Sequence, residues 1–159
     1  MMLSAAVLTK GSKDDGSTYM VPAMIGAILP DAPMFAFYVV EKFLLGSSER
    51  EIWSTRYFLD QWQDFFDVFN SIPIVLIGIL VAWKVGHRGW MILLASMLIH
   101  IAADLPLHHD DGHRHFWPLS DWRFASPVSY WDPNHYGRPA AALEIVLFVA
   151  CYILSLIHI

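Results

Sequence analysis

The sequence predicts an all-α integral membrane protein: a bundle of about four helices, with a long, ordered, aromatic and histidine-rich loop capping one end. Three observations predict it. Only 16% of the 159 residues are charged while 56% are hydrophobic, against about 25% charged in soluble chains. The mean hydropathy is +0.44, and the apolar residues gather into four long blocks. Ten Lys plus Arg and fifteen Asp plus Glu are too few to cover the roughly one third of its unfolded surface that a soluble domain of this size leaves wet.

The four blocks predict helices near residues 19–45, 64–84, 89–107 and 139–159 of a single membrane domain covering 1–159. A spanning helix needs about 20 mostly apolar residues, and these blocks are too apolar all round to be amphipathic surface helices. Each carries an ionisable residue: Asp31, Asp67, the pair His100 and Asp104, and Glu144. The short turn at 84–88 makes the second and third helices antiparallel neighbours. Its Lys84 and Arg88 abut helix ends with no acid between them, which favours a cytoplasmic turn.

The connections at 46–64 and 108–138 are long, and loops of such length usually serve a function. The second holds Phe116, Trp117, Trp122, Phe124, Tyr130, Trp131 and Tyr136, enough aromatic material to pack or to sit at the headgroup level. It is expected to fold back over the open end of the bundle as a lid.

Several classes are excluded or unsupported. A net charge of -5 with no basic patch argues against nucleic acid as a partner. The single cysteine, Cys151, lies in an apolar run and is read as a small buried hydrophobe. No charged segment precedes the apolar stretch 1–8, so no cleaved signal peptide is expected.

The chemistry concentrates between His100 and His115. His100 and Asp104 are one helical turn apart and share a face. Pro106 should kink or end that helix, so that His108 or His109 folds back over the same face. Imidazole and carboxylate together suit zinc or another divalent metal. Ionisable side chains inside a membrane segment mark a site by default, although a neutral His100 hydrogen-bonded to Asp104 or to the first helix remains an equal alternative. Asp110, Asp111, His113 and His115 read first as a polar turn around Gly112. Asp31, in Leu29-Pro30-Asp31-Ala32-Pro33, reads equally as a metal ligand or as the N-cap of a helix restarted after a break. Asp67 and Asn70, three residues apart on the second helix, point to the same cavity or to the interface.

Leu29-Pro30-Asp31, Trp62-Gln63 through Asn70-Ser71, His100-x-x-x-Asp104-x-Pro106-Leu107-His108, the run His115 to Trp122 and the run Ser126 to Asp132 together resemble a family of small bacterial membrane proteins that often carry a cobalamin-biosynthesis label. More distantly, the Pro-Asp, His-x-x-x-Asp and Phe-Trp-Pro elements are similar to inner-membrane metal-dependent hydrolases described as LexA-binding, themselves thought related to the zinc phospholipase C and single-strand nuclease group. The chain has Asn70-Ser71 where those hydrolases carry a His-Ser pair, and Met1-Met2-Leu3-Ser4 where they carry a Thr-Pro-x-His or Thr-His element. The resemblance implies a multi-pass protein of the bacterial inner membrane. It also implies that Asp31, His100, Asp104 and His108 correspond to metal ligands.

Two functions follow as expectations. One is a membrane-embedded metal-dependent hydrolase of a phosphoester or lipid-like substrate, with a divalent metal such as zinc held by Asp31, His100, Asp104, His108 and His109, and with Asp31 or Asp104 also serving as general base. The other is a non-catalytic accessory subunit of a larger membrane complex. The expected partners are the lipid bilayer and, in the second case, other membrane subunits.

Overall fold

A computed structural model describes residues 16–130 and 132–157 of the chain. Residues 1–15, Trp131, residues 158–159 and the side chains of Glu144 and Cys151 lie outside the described set, and with them the readings of those positions. Among the described residues all regular structure is helical. In order these are α1 (Gly16–Ile28), α2 (Ala32–Val39) running into a π turn at Val40–Leu44, and α3 (Glu49–Glu51) running into a second π turn at Ile52–Arg56. Then come α4 (Asp60–Asn70), α5 (Ile72–Lys84), α6 (Arg88–Asp104) with a 3-10 turn at Leu105–Leu107, a 3-10 turn at Pro133–His135, and α7 (Gly137–Ile157).

Two helices are long and apolar enough to cross a membrane, Asp60–Lys84 and Arg88–Leu107, and a third if the bent pair Tyr19–Ile28 and Ala32–Leu44 is one span. The bend of 54° in that pair falls at Leu29-Pro30-Asp31. Pro30 has no N–H to continue the helix, and Pro33 suits the first turn of the next. The 25-residue span is α4 and α5 joined at Ser71, whose hydroxyl accepts from the Ile74 N–H and so restarts the helix beside Pro73. His87 does the same for α6, its Nδ1 accepting from the Trp90 N–H, after a turn in which Gly86 takes φ +70°.

The helices pack where their side chains are small. α1 lies along α6, and α5 lies along the other side of α6. A methyl group on Gly26 would stand 2.0 Å from the Leu93 carbonyl oxygen, so only glycine permits this crossing. Ala23 and Ala27 are buried beside it, and the Ser96 hydroxyl donates to the Ala23 carbonyl at 2.7 Å. Val75, Leu93, Met97 and Ile101 fill the space between α5 and α6. The outward residues Ile77, Leu80, Val81 and Trp83 are all more than half exposed, as lipid-facing side chains should be in an isolated chain.

A second core sits at the loop end, where Phe37, Ile52, Tyr57 and Phe66 pack with Trp62 and Met34. Beside it Glu41 is buried, accepting from the Ser47 hydroxyl at 2.9 Å and the Trp62 indole at 3.0 Å. These donors satisfy a carboxylate that would otherwise be costly to bury.

The segment 108–130 returns to the bundle through polar ties. The Ile72 N–H donates to the His115 carbonyl at 2.8 Å, and the Ser71 hydroxyl donates to the Trp117 carbonyl. The Tyr130 N–H donates to the Leu107 carbonyl and the Ser126 N–H to the His108 carbonyl. Its aromatic residues are less covered than the sequence suggests: Trp122 is 49% and Tyr130 40% exposed. Backbone and side-chain hydrogen bonds tie this segment to the bundle.

Candidate functional site

The ionisable residues of α6 meet those of α2, α4 and the 108–130 segment at the loop end of the bundle. Asp104 ends α6, and the following 3-10 turn brings His108 back so that its Nε2 lies 2.9 Å from Asp104 Oδ2. The other nitrogen of His108 lies 3.0 Å from Asp111 Oδ2. Burial pushes the His108 imidazole down, but the two carboxylates outweigh it and raise its pKa to about 10. At neutral pH it is an imidazolium between two carboxylates.

His100 is held differently. Its Nδ1 lies 2.9 Å from the Ala27 carbonyl oxygen, which can only accept, so Nδ1 carries the hydrogen. Nε2 then faces Asp31 Oδ1 at 3.4 Å and makes no hydrogen bond. Asp31 stands at the N-cap position of α2, but its side chain caps nothing there. Of the two roles open to it in the sequence, the carboxylate points to His100. The Asp104 carboxylate acts electrostatically on His100 as well as on His108 and His113, so the two pairs belong to one cluster.

Asp67 is fully buried on α4. It accepts from the Arg114 backbone N–H at 2.9 Å and from the Arg114 guanidinium, and His113 Nδ1 lies 3.7 Å away. The same guanidinium reaches Asp64 and Asp121, and these carboxylates raise its pKa above the ordinary arginine value against the effect of burial. Arg114 was not legible as a site residue, although Asp64 and Asp67, three apart on one helix face, call for a cation. His115, buried against the Asn70 carbonyl, has its pKa lowered by burial first and by His113 as well.

His109 does not join this cluster by any contact among the described residues. Its Nδ1 donates to the Ser126 carbonyl at 2.6 Å, and its ring stacks on His135 with centroids 3.7 Å apart. His135 is in turn held by Asp132 at 2.7 Å. Asp111 and His113, read first as parts of a polar turn, are instead partners of His108 and Asp67.

His108 and Asp111 also form the polar wall of a cavity of about 480 Å³ whose other walls are Met34, Trp53, Tyr57, Phe58 and Tyr130. Among the described residues no three of His, Cys, Asp and Glu are grouped so as to hold a metal ion. The chain matches no family model, no curated protein and no solved structure.

Proposed function

We propose that the chain is a multi-pass protein of the bacterial inner membrane, of the family its motifs resemble, with 137–157 as a fourth span and the 108–138 loop as its cap. In this reading its histidine–aspartate end hydrolyses a phosphoester or lipid-like substrate with the help of a divalent metal. One observation carries this reading. The hydrogen bond from His100 Nδ1 to the Ala27 carbonyl turns Nε2 toward a carboxylate oxygen 3.4 Å away, and a neutral ring would present a lone pair there. Two lone pairs face each other stably only with a proton or a cation between them.

Imidazole and carboxylate are the donors zinc takes, and the backbone carbonyl on the far nitrogen is the usual orienting partner of a metal-bound histidine. Asp31 and His100 would hold the ion, and Asp104, now paired with His108, would have to turn toward them to join, since no three such donors are grouped among the described residues. The ion would supply an activated water. Asp31, 55% exposed at its side chain, is open to that water as ligand or general base. His108 fixes Asp104 from the cavity wall.

The test is metal content after purification in detergent, with hydrolysis of a phosphodiester reporter measured on the same samples. Wild-type protein should retain about one divalent ion per chain, and His100→Ala and Asp31→Asn should lose both ion and activity. Equal metal in all three proteins, or none in any, overturns the reading.

A second reading, an accessory subunit, is favoured by α7. Its strongest packing among the described residues is on the Pro133–His135 turn just before it, and Leu143, Ile145, Val146 and Leu147 are more than half exposed. Such a helix could serve another subunit as well as lipid. Isolation of the native protein as a single-chain species in mild detergent would remove this reading.

A further inference from the structure

The walls of the 480 Å³ cavity constrain what it takes. Trp53, Tyr57, Phe58 and Tyr130 line it, and each presents a π face or edge to the space. Among the described residues no lysine or arginine lines it, and the charged groups there are His108 and Asp111. His108 lies between Asp111 and Asp104, so two carboxylates face one imidazole. One imidazole, even when protonated, offsets only one of the two carboxylates, so the cluster of Asp104, His108 and Asp111 behind this wall is net negative. Arg123, the nearby cation, is engaged with Gln63 and with the Gly112 carbonyl. An anionic group in this cavity would meet carboxylates without a free cation to receive it.

Aromatic walls with a net negative backing attract a bulky, weakly hydrated cation, which gains from each ring within about 6 Å. A compact ammonium would lose too much hydration in so apolar a space. We infer that the cavity binds a quaternary ammonium group, of the kind borne by a cationic or zwitterionic amphiphile, with Trp53, Tyr57, Phe58 and Tyr130 as its cage. The inference rests on the proposal that this end of the bundle takes a lipid-like substrate, and it names the substrate's chemical class. Trp53, Phe58 and Tyr130 are 46%, 51% and 40% exposed, so the cage is open to a ligand from outside.

The experiment compares choline with 3,3-dimethylbutan-1-ol, which has the same shape with carbon in place of the charged nitrogen. Each is titrated into the full chain in phosphatidylglycerol nanodiscs, with tryptophan fluorescence as the readout. Choline should bind at least ten times more tightly than the neutral alcohol. Tyr130→Leu and Phe58→Leu, which keep apolar volume and remove a ring, should each weaken choline several-fold and leave the alcohol unchanged, with helix content by circular dichroism confirming a folded protein. Equal affinities for the two probes, no binding of either, or folded variants that bind choline like wild type overturn the inference. Its failure is distinct from that of the hydrolase reading. A chain that selects choline but carries no metal keeps the cage and loses the hydrolase. One that carries metal and cleaves its reporter without selecting choline does the reverse.

Discussion

His108 Nε2 lies 2.9 Å from Asp104 Oδ2, across the end of the helix that Asp104 terminates. A carboxylate in the last turn of a helix opposes the helix dipole, and the imidazolium of His108 offsets both the carboxylate and the exposed carbonyls. This pair ties the 108–130 segment to its helix.

The pair makes stability depend on pH. The folded pKa of His108, about 10, lies above its unfolded value of about 6.5. The stabilisation is therefore fully present below about pH 6.5 and is lost as pH rises through about 10. Thermal unfolding in detergent should show a melting temperature that falls between pH 7 and pH 10. His108→Gln should be less stable at pH 7 and should flatten that slope. An unchanged slope in the variant would remove His108 as its origin.

Arg114→Ala should be among the most damaging single changes. It leaves Asp67, fully buried, without the guanidinium that pairs with it, and an uncompensated buried charge costs about 3–5 kcal/mol. Adding Asp67→Asn should restore part of the loss, because the neutral amide needs no cation. Chemical denaturation of the single and double variants measures both effects, and additive losses would contradict the pairing.

Gly26→Ala should loosen the bundle without touching any polar group. The added methyl falls 2.0 Å from the Leu93 carbonyl oxygen, so α1 and α6 must separate, at a cost of about 1–3 kcal/mol. Gly89, at the start of α6, where an added methyl meets nothing nearer than 3.5 Å, has no such clash and separates crowding from loss of glycine as such. A lowered melting temperature for Gly26→Ala, with helix content kept, is the expected result.

Trypsin should cut slowly after Arg114 and Arg123 in the folded protein. Arg114 is engaged by Asp64, Asp67 and Asp121, and Arg123 by Gln63 and the Gly112 carbonyl. Gln63→Ala frees one side of Arg123 and should speed cleavage there while leaving Arg114 protected. Rapid cleavage at both sites in the wild type would show that the segment is open.

The sequence by itself determined the helical class and, of the four spans expected, the two helices that are long and apolar enough to cross a membrane, with the bent pair as a third if it is one span, because a run of about 20 apolar residues has one low-energy solution in lipid, the helix that satisfies its own backbone. It also marked the break at Leu29-Pro30-Asp31 and the shared face of His100 and Asp104, both consequences of local stereochemistry. The partners of the ionisable residues were decided only by the tertiary structure. Asp31 and His100 are 69 positions apart in the numbering, and the 3.4 Å between their side chains depends on the close crossing that Gly26 and Ser96 permit. Arg114 finds Asp67 because 108–130 folds back onto α4. Periodicity shows which face a residue occupies along one helix. Which faces meet depends on side-chain volumes and hydrogen-bond partners at the crossings, and these are summed only when the chain is packed.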